Sequence, residues 1–386
     1  MRETLENPDA RHVELTGERI ACLGDKLGGQ AGAPSWRQMT GPAAEVAVVN
    51  PLNCPEWNEM LLGCGHGTIF HSANWARLLA ESYGYHPAYF TLSRQGALAG
   101  CLPLMEVNSV LTGRRGVSLS FSDYCGSIVE GPADFQLLFD SILELGRRSG
   151  WRHVEFRGEE SLAAERPASS YAHHLLELSG DERLMHSRLR ESTARNIRKA
   201  VKEGVTVEIC RSLQGVRDFY RLHCLTRRRH GLPPQPGRFF DKLHEHVISQ
   251  GLGFTALARK GQTTVAGVIC LHFGCSALYK YGASDAAFQH LRANNLVLWE
   301  AIKYCAREGF RTFSLGRTDL DNEGLLTFKD GWGGNRSVLN YHRYEFASNG
   351  FVCDHERNLE VYKNVLKKLP IDVLKMLGKL AYRHIG

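Results

Sequence analysis

One structural phrase occurs twice in this chain. Leu137-Leu138-Phe139 through Gly150-Trp151-Arg152-His153-Val154-Glu155-Phe156 reads as a helix, a glycine stop and a strand. Leu296-Val297-Leu298-Trp299 through Gly309-Phe310-Arg311-Thr312-Phe313-Ser314-Leu315 reads the same way, 159 positions later. A second echo precedes each copy. Tyr89 to Gly96 climbs into Gly100-Cys101-Leu102-Pro103, and Phe254 to Gly261 climbs into Gly267-Val268-Ile269-Cys270. Each is an alternating strand, a tight turn carrying glycine and a returning strand. Two echoes in one order predict two copies of a hairpin–helix–strand domain, with function between them. Chance repetition is the alternative, since α/β proteins reuse such patterns.

The 386 residues are long for one core and comfortable for two domains. With 43% hydrophobic and 23% charged residues, most of the chain has the composition of a globular protein, not of a disordered one. The 11 cysteines form no CxxC pair or zinc-finger spacing and lie mostly in apolar stretches, which reads as reduced thiols in the cytosol. The 17 histidines form no HExxH pattern, so no metal site is expected. Met1 to Glu18 lacks the apolar core of a secretory signal, and no apolar run is long enough to span a membrane.

The expected organisation is a loosely ordered leader (1–45), a first domain (46–180), a second domain (181–350) and a basic amphipathic C-terminal helix (351–386). Ser72 is placed to cap a helix whose Trp75, Leu78 and Leu79 share one face. Helix-forming sequence runs from Asp181 to Glu203 and stops at Gly204. Strands are expected at His173–Leu178, Val205–Cys210, Ser276–Gly282 and Thr312–Leu315, and a helix over Asn295–Glu308.

The densest signal is Tyr279-Lys280-Tyr281-Gly282-Ala283-Ser284-Asp285, continuing through Asn294-Asn295-Leu296-Val297-Leu298-Trp299-Glu300-Ala301 to Gly316-Arg317 and Glu323 to Gly333. With it stand Arg195-Asn196-Ile197-Arg198-Lys199-Ala200 before Gly204-Val205, Leu225-Thr226-Arg227-Arg228-Arg229-His230-Gly231-Leu232-Pro233-Pro234-Gln235-Pro236, and the tail from Leu369-Pro370 to Gly386. Together these resemble the FemAB-like acyltransferases, also grouped as BioF2-like acetyltransferase domains, some associated with exosortase and surface-polysaccharide systems.

The resemblance implies an α/β (α+β) fold of tandem GCN5-related N-acetyltransferase-like domains, each a mixed, mainly antiparallel sheet flanked by helices. It implies an enzyme that forms an amide on a cell-envelope precursor, of peptidoglycan or surface polysaccharide and nucleotide- or lipid-linked. The family's best-known members take an aminoacyl group from a charged tRNA, so the donor substrate is aminoacyl-tRNA or acyl-CoA, with no tightly bound cofactor. A Phe-Lys pair sits at the reaction centre of those relatives, and Phe328-Lys329 match it. An ammonium there would stabilise the oxyanion formed when an amine attacks an ester or thioester, an effect of roughly 3 to 4 kcal/mol per donor. Two rival readings are a CoA-dependent N-acetyltransferase acting on an amino sugar, and a non-catalytic partner of an export or polymerisation system.

Tyr279, Tyr281 and Arg317 are expected to line the cleft from the second domain, and Asp123 and Tyr124 to meet the acceptor from the first. In the acyl-CoA variant of this fold a glycine-rich loop cradles pyrophosphate. The matching stretch, Phe288 to Asn295, contains no glycine. Arg292 could still pair a phosphate and Asn294 or Asn295 could cap the helix, but the departure favours a bulkier donor than CoA. Arg188, Arg195, Lys199 and Lys202 are expected on one helix face, with Arg198 beside them, and with Arg227-Arg228-Arg229 they are candidates for tRNA phosphates, a nucleotide-linked acceptor or an anionic head group. Glu300 and Asp285 are candidate general bases. Cys125 reads as a buried thiol unless a histidine lies near.

The tail from Lys363 sets six Lys or Arg against one acid, Asp372, with an apolar stripe of Val373, Leu374, Leu377, Leu380 and Ala381. Such a helix either touches an anionic membrane peripherally or docks on its own core. The enzyme is then expected in the cytoplasm, at the inner face of the membrane if its acceptor is lipid-linked.

Overall fold

The computed structural model describes residues 44–353 and 360–385, so all but the end of the expected leader lies outside the described residues. The first half runs β1 (Glu45–Val49), α1 (Trp57–Gly63), α2 (Ala73–Tyr83), β2 (His86–Arg94), β3 (Ala97–Ser109), β4 (Gly113–Val117), α3 (Pro132–Arg148), β5 (His153–Arg157) and β6 (Ser169–Glu177). Then follow α4 (Glu182–Ser187), α5 (Glu191–Lys202), β7 (Val205–Cys210), α6 (Leu213–Arg229), α7 (Gly237–Leu243), β8 (Gly253–Lys260), β9 (Thr263–Phe273), β10 (Ser276–Ser284), α8 (Ala293–Arg307), β11 (Thr312–Asp319) and α9 (Glu323–Asp330). The chain closes with β12 (Asn335–Glu345), β13 (Gly350–Val352), α10 (Glu360–Leu366) and α11 (Ile371–Ile385).

The echoes become matching geometry. Hairpin β2–β3 shifts register after Leu92 and hairpin β8–β9 after Ala258, at corresponding positions. Gly150 and Gly309 end α3 and α8 with φ of +65° and +86°, a conformation that glycine adopts at no steric cost. Each helix leads to a strand that joins its sheet in parallel, β5 on β4 and β11 on β10. At the start of α2 the Ser72 hydroxyl accepts from Trp75 N–H at 3.2 Å, and Trp75, Leu78 and Leu79 are buried, as their spacing predicts.

The two halves share one sheet, ordered β1-β2-β3-β4-β5-β12-β6-β11-β10-β9-β8-β7 with β13 on β12. The strand that follows β5 in the chain, β6, crosses to β11, and the strand that follows β11, β12, crosses to β5. The two exchanged strands pair with each other at the centre. One apolar cluster lies under α3 and another under α8, while a third joins α2 to α6 and α7 through Trp75, Tyr83, Phe239 and Phe240.

The continuous helix expected over Asp181 to Glu203 is broken. Between α4 and α5 the chain turns so that Arg190 N–H donates to Gly331 O at 3.0 Å, while the Arg188 carbonyl lies where a Cβ on Gly333 would sit, 2.4 Å away. The Gly-Trp-Gly-Gly turn after α9 thus reaches back across 140 residues of sequence to set the break, information that local helix propensity does not carry. Among the described residues no helix is long and apolar enough to cross a membrane.

Candidate functional site

Strands β10 and β11 pair only over Ser276–Leu278 and Thr312–Ser314, yet run on to Ser284 and Asp319. Past that point they diverge, and a cavity of about 390 Å³ opens between them, lined by Tyr279, Tyr281, Arg317, Phe328, Lys329 and Asp123. Diverging strands leave carbonyls without ladder partners, which must be satisfied otherwise. Lys329, 3% exposed on α9, supplies two N–H groups, to Gly316 O and Arg317 O at 3.0 Å each. Gly316 has φ +68°, so its carbonyl orientation depends on a glycine. Burial pushes the Lys329 ammonium down to about 8, with the Asp123 carboxylate opposing and the Lys280 charge assisting.

Lys280 reaches the same cavity because β10 carries a bulge. Tyr279 pairs with Cys270 and Tyr281 with the next residue, Ile269, leaving Lys280 as the extra residue. Its ammonium donates to Asp123 Oδ2 at 3.0 Å and lies 5.2 Å from the Phe70 ring centre and 5.8 Å from that of Trp75. Burial lowers its pKa while Asp123 opposes the shift. Asp123 comes from the first half, on a segment where two bulky residues hold positive φ, Leu119 at 50° and Phe121 at 60°. Such left-handed residues cost about 1–3 kcal/mol each and persist only where packing over-determines them. Here Tyr341 on exchanged strand β12 donates its hydroxyl to Asp123 O at 2.6 Å.

A second cavity, about 380 Å³, lies at the start of α8 and is lined by Arg190, Asn196, Asp285, Arg292, Asn295 and Thr327 among others. Ser284, Asn294 and Phe328 line both cavities, so Phe328 stands between them while Lys329, next on the helix, faces the strand splay. The expected cap by Asn294 or Asn295 is not formed. Arg292 occupies the N-cap with φ +58° and no side-chain cap, and both asparagines sit in the first turn. Arg292 thereby takes up the left-handed backbone for which a glycine had been sought in this loop.

The structure therefore gathers Tyr279, Tyr281, Arg317, Asp123, Phe328 and Lys329 around one cavity, and adds Arg227 and Arg229 from the end of α6. Arg317 lays its guanidinium 4.4 Å from the Tyr171 ring centre and 5.0 Å from that of Tyr341. Tyr124 is separated from Asp123: it lines a cavity of the first half with His71 and Glu159, and burial raises its hydroxyl to about 12. Arg195 and Arg198 are exposed on α5 and line neither of the two site cavities, whereas Arg292 lines the second. Arg188 falls outside α5, donating to Glu177 O, so the expected four-residue basic face is not continuous.

Neither candidate base lines the Lys329 cavity. Glu300 pairs with Lys303 at 2.8 Å, and Asp285 accepts from Ala287 N–H at 3.0 Å. A histidine does approach Cys125: His71 Nε2 lies 3.8 Å from its sulfur. Both groups are buried, burial holds the thiol well above its usual range and the imidazole at about 4, and an ion pair is disfavoured on both sides. Lys280 was visible in sequence only as the middle of Tyr279-Lys280-Tyr281, where strict strand alternation turns it away from its neighbours. The bulge reverses that.

Two such halves, each a mixed sheet with flanking helices, have the architecture of tandem GCN5-related N-acetyltransferase domains. Residues 187–329 match the acetyltransferase (GNAT) domain family. The second half of the chain thus carries an acyltransferase domain of the GNAT type, and the two halves together have a tandem GNAT-type fold. Its fold is similar to that of FemX, with a TM-score of 0.62 at 14% identity over 83% of this chain and 100% of that one. It is also similar to L-PGS from Bacillus licheniformis, with a TM-score of 0.50 at 14% identity over 86% of this chain and 99% of that one. A tandem GNAT protein from the clavulanic acid biosynthesis pathway gives a TM-score of 0.50 at 11% identity over 78% of this chain and 98% of that one. No curated protein matches the chain in sequence.

Proposed function

We propose that the protein transfers an acyl group to an amine on a cell-envelope precursor, with Lys329 stabilising the carbonyl oxygen as the amine attacks. The observation that carries this reading is the Lys329 ammonium, buried and fixed by Gly316 O and Arg317 O at the wall of a cavity that both halves of the chain line. An ammonium oriented by two carbonyls has one N–H left to give, and little reorganisation is needed when negative charge develops. Asp123, across the cavity, suits an amine acceptor. Arg227 and Arg229, lining the same cavity, suit a phosphate-bearing one, nucleotide- or lipid-linked. Phe328 shapes the boundary between donor and acceptor spaces. Structural likeness to FemX and to L-PGS is consistent with an envelope substrate. This reading puts the enzyme in the cytoplasm, at the inner face of the membrane when the acceptor is lipid-linked.

The donor is aminoacyl-tRNA or acyl-CoA. The left-handed Arg292 and the uncapped start of α8 favour acyl-CoA, because a phosphate can approach those backbone N–H groups without a glycine. Calorimetry with acetyl-CoA decides: micromolar binding selects the CoA donor, and none leaves the aminoacyl ester. Replacing Lys329 by Ala should lower transfer by about 10²–10³. A folded Lys329→Ala protein that supports normal transfer would remove the catalytic assignment and leave the non-catalytic partner role.

A further inference from the structure

The C-terminal helices expose a surface that the acyl-transfer site does not use. Helix α11 buries Leu374 and Tyr382 and brings Gly378 against Pro234 O, so the inner part of its apolar stripe docks on the protein's own core. Its opposite face is not polar. Met376 is 55% exposed and Leu380 62%, alongside exposed Lys379 and Arg383. On α10 Tyr362 is 69% exposed and Val365 58%, next to exposed Lys363, Lys367 and Lys368. Between α11 and the α2–α7 corner runs a groove of about 850 Å³ that Lys375, Lys379, Arg383 and Arg238 line. Lys375 pairs with Asp372 at 3.2 Å, while the acid lining the groove, Glu81, is already held by Lys242 at 2.6 Å and His246 at 3.0 Å, so it does not offset Lys379, Arg383 or Arg238.

We infer that the outward face of α10 and α11 is a contact surface for an anionic phospholipid bilayer. Long apolar side chains alternating with Lys and Arg are what the headgroup boundary accepts: the apolar ends enter the acyl region and the ammonium and guanidinium groups meet lipid phosphates. A protein partner of ordinary kind would disfavour so many lysines at its centre. The surface is tied to the proposed site. Tyr382 accepts from Arg227 at 2.9 Å and donates to Pro233 O at 3.3 Å, so the helix that would lie on the membrane also braces an arginine of the cavity. The inference rests on the acyltransferase reading for its purpose, but the surface stands on exposure and charge alone.

The test uses the full chain with vesicles of phosphatidylcholine, with and without phosphatidylglycerol, in co-sedimentation. The intact protein should bind the anionic vesicles, not the neutral ones, and be released by high salt. Replacing Lys379 and Arg383 together by Glu should weaken binding by at least about 25-fold, since each cation lost from the surface contributes about five-fold. Replacing Met376 and Leu380 together by Ser, with all charges kept, should weaken it as well. The four positions are exposed, and equal melting temperatures would show that both variants fold. Lys329→Ala, which disables the proposed chemistry, should bind vesicles unchanged, so failure of either idea is seen separately. Equal binding to neutral vesicles, no binding by the intact chain, or unaltered binding after charge reversal would overturn the inference. A dimer abolished by the reversal, without vesicle binding, would do so too.

Discussion

The proposed role asks two incompatible things of Lys329, a charge where negative charge develops and a place out of water. Burial resolves them by lowering its pKa from 10.5 to about 8, leaving it largely protonated at neutral pH. Between those values the unfolded chain holds a proton that the folded one has released. Folding stability from this residue therefore rises with pH across the window, by about 3 kcal/mol in all, and is lost as pH falls through 8. In the proposed mechanism transfer runs the opposite way, failing above 8 as the ammonium deprotonates. Nitrogen-detected NMR of the lysine Nζ should show one resonance titrating near 8, absent from Lys329→Ala. Asp123→Asn sharpens this. Removing that carboxylate takes away the charge that raises the Lys329 pKa, so the midpoint should move further down. It also strands Lys280, whose ion pair with Asp123 spans 3.0 Å, and breaking a buried pair costs about 3–5 kcal/mol. The double change Asp123→Asn with Lys280→Met should recover most of that in chemical denaturation, since it removes both charges. A single variant as stable as the parent would mean that the pair contributes nothing.

Among elements, what was legible in the sequence was whatever neighbouring residues decide. The Ser72 cap, the glycine stops at Gly150 and Gly309 and both hairpins follow from contacts a few residues apart, and each forms where its residues predict. The bulge that turns Lys280 inward is set by pairing with β9, the break after α4 by the turn at Gly331, and the left-handed Arg292 by the loop it closes. None has a local signature. The tail shows the same division: its amphipathic period was plain, but which apolar residues face inward depends on Gly378 fitting against Pro234. A Cβ at Gly378 would lie 2.0 Å from Pro234 O, a backbone atom that cannot step aside. Gly378→Ala should therefore lift α11 from α6 at a cost of about 1–3 kcal/mol. It should also raise hydrogen exchange across Leu374–Tyr382 and loosen Arg227 through Tyr382. Unchanged protection in α11 would show that the helix is seated by other contacts.

At the scale of the molecule, the repeated hairpin–helix–strand geometry and strand exchange together explain why the site can draw on both halves. Had each half kept its own last strand, β5 and β11 would end two separate sheets, and Asp123 would have no covalent reason to face Lys329. Exchange instead places β12, which follows α9 in the chain, against β5 of the other half, and its Tyr341 holds the carbonyl of Asp123. Strand β6 reciprocates, with His173 Nε2 2.8 Å from Ser314 Oγ on β11. The lobes are thus joined through ladders, not through a surface that can slide, and the distance between Asp123 and Lys329 is set by strand register. A chain cut after residue 180 separates each exchanged strand from the sheet it completes. Expressed alone, the fragments 44–180 and 181–385 should each expose an unpaired strand and aggregate. Expressed together, they should assemble into a soluble one-to-one complex that gives a single cooperative unfolding transition. If 181–385 alone were monomeric and unfolded cooperatively, β6 and β12 would be ornaments on an independent domain, and the register argument for the site would fail with them.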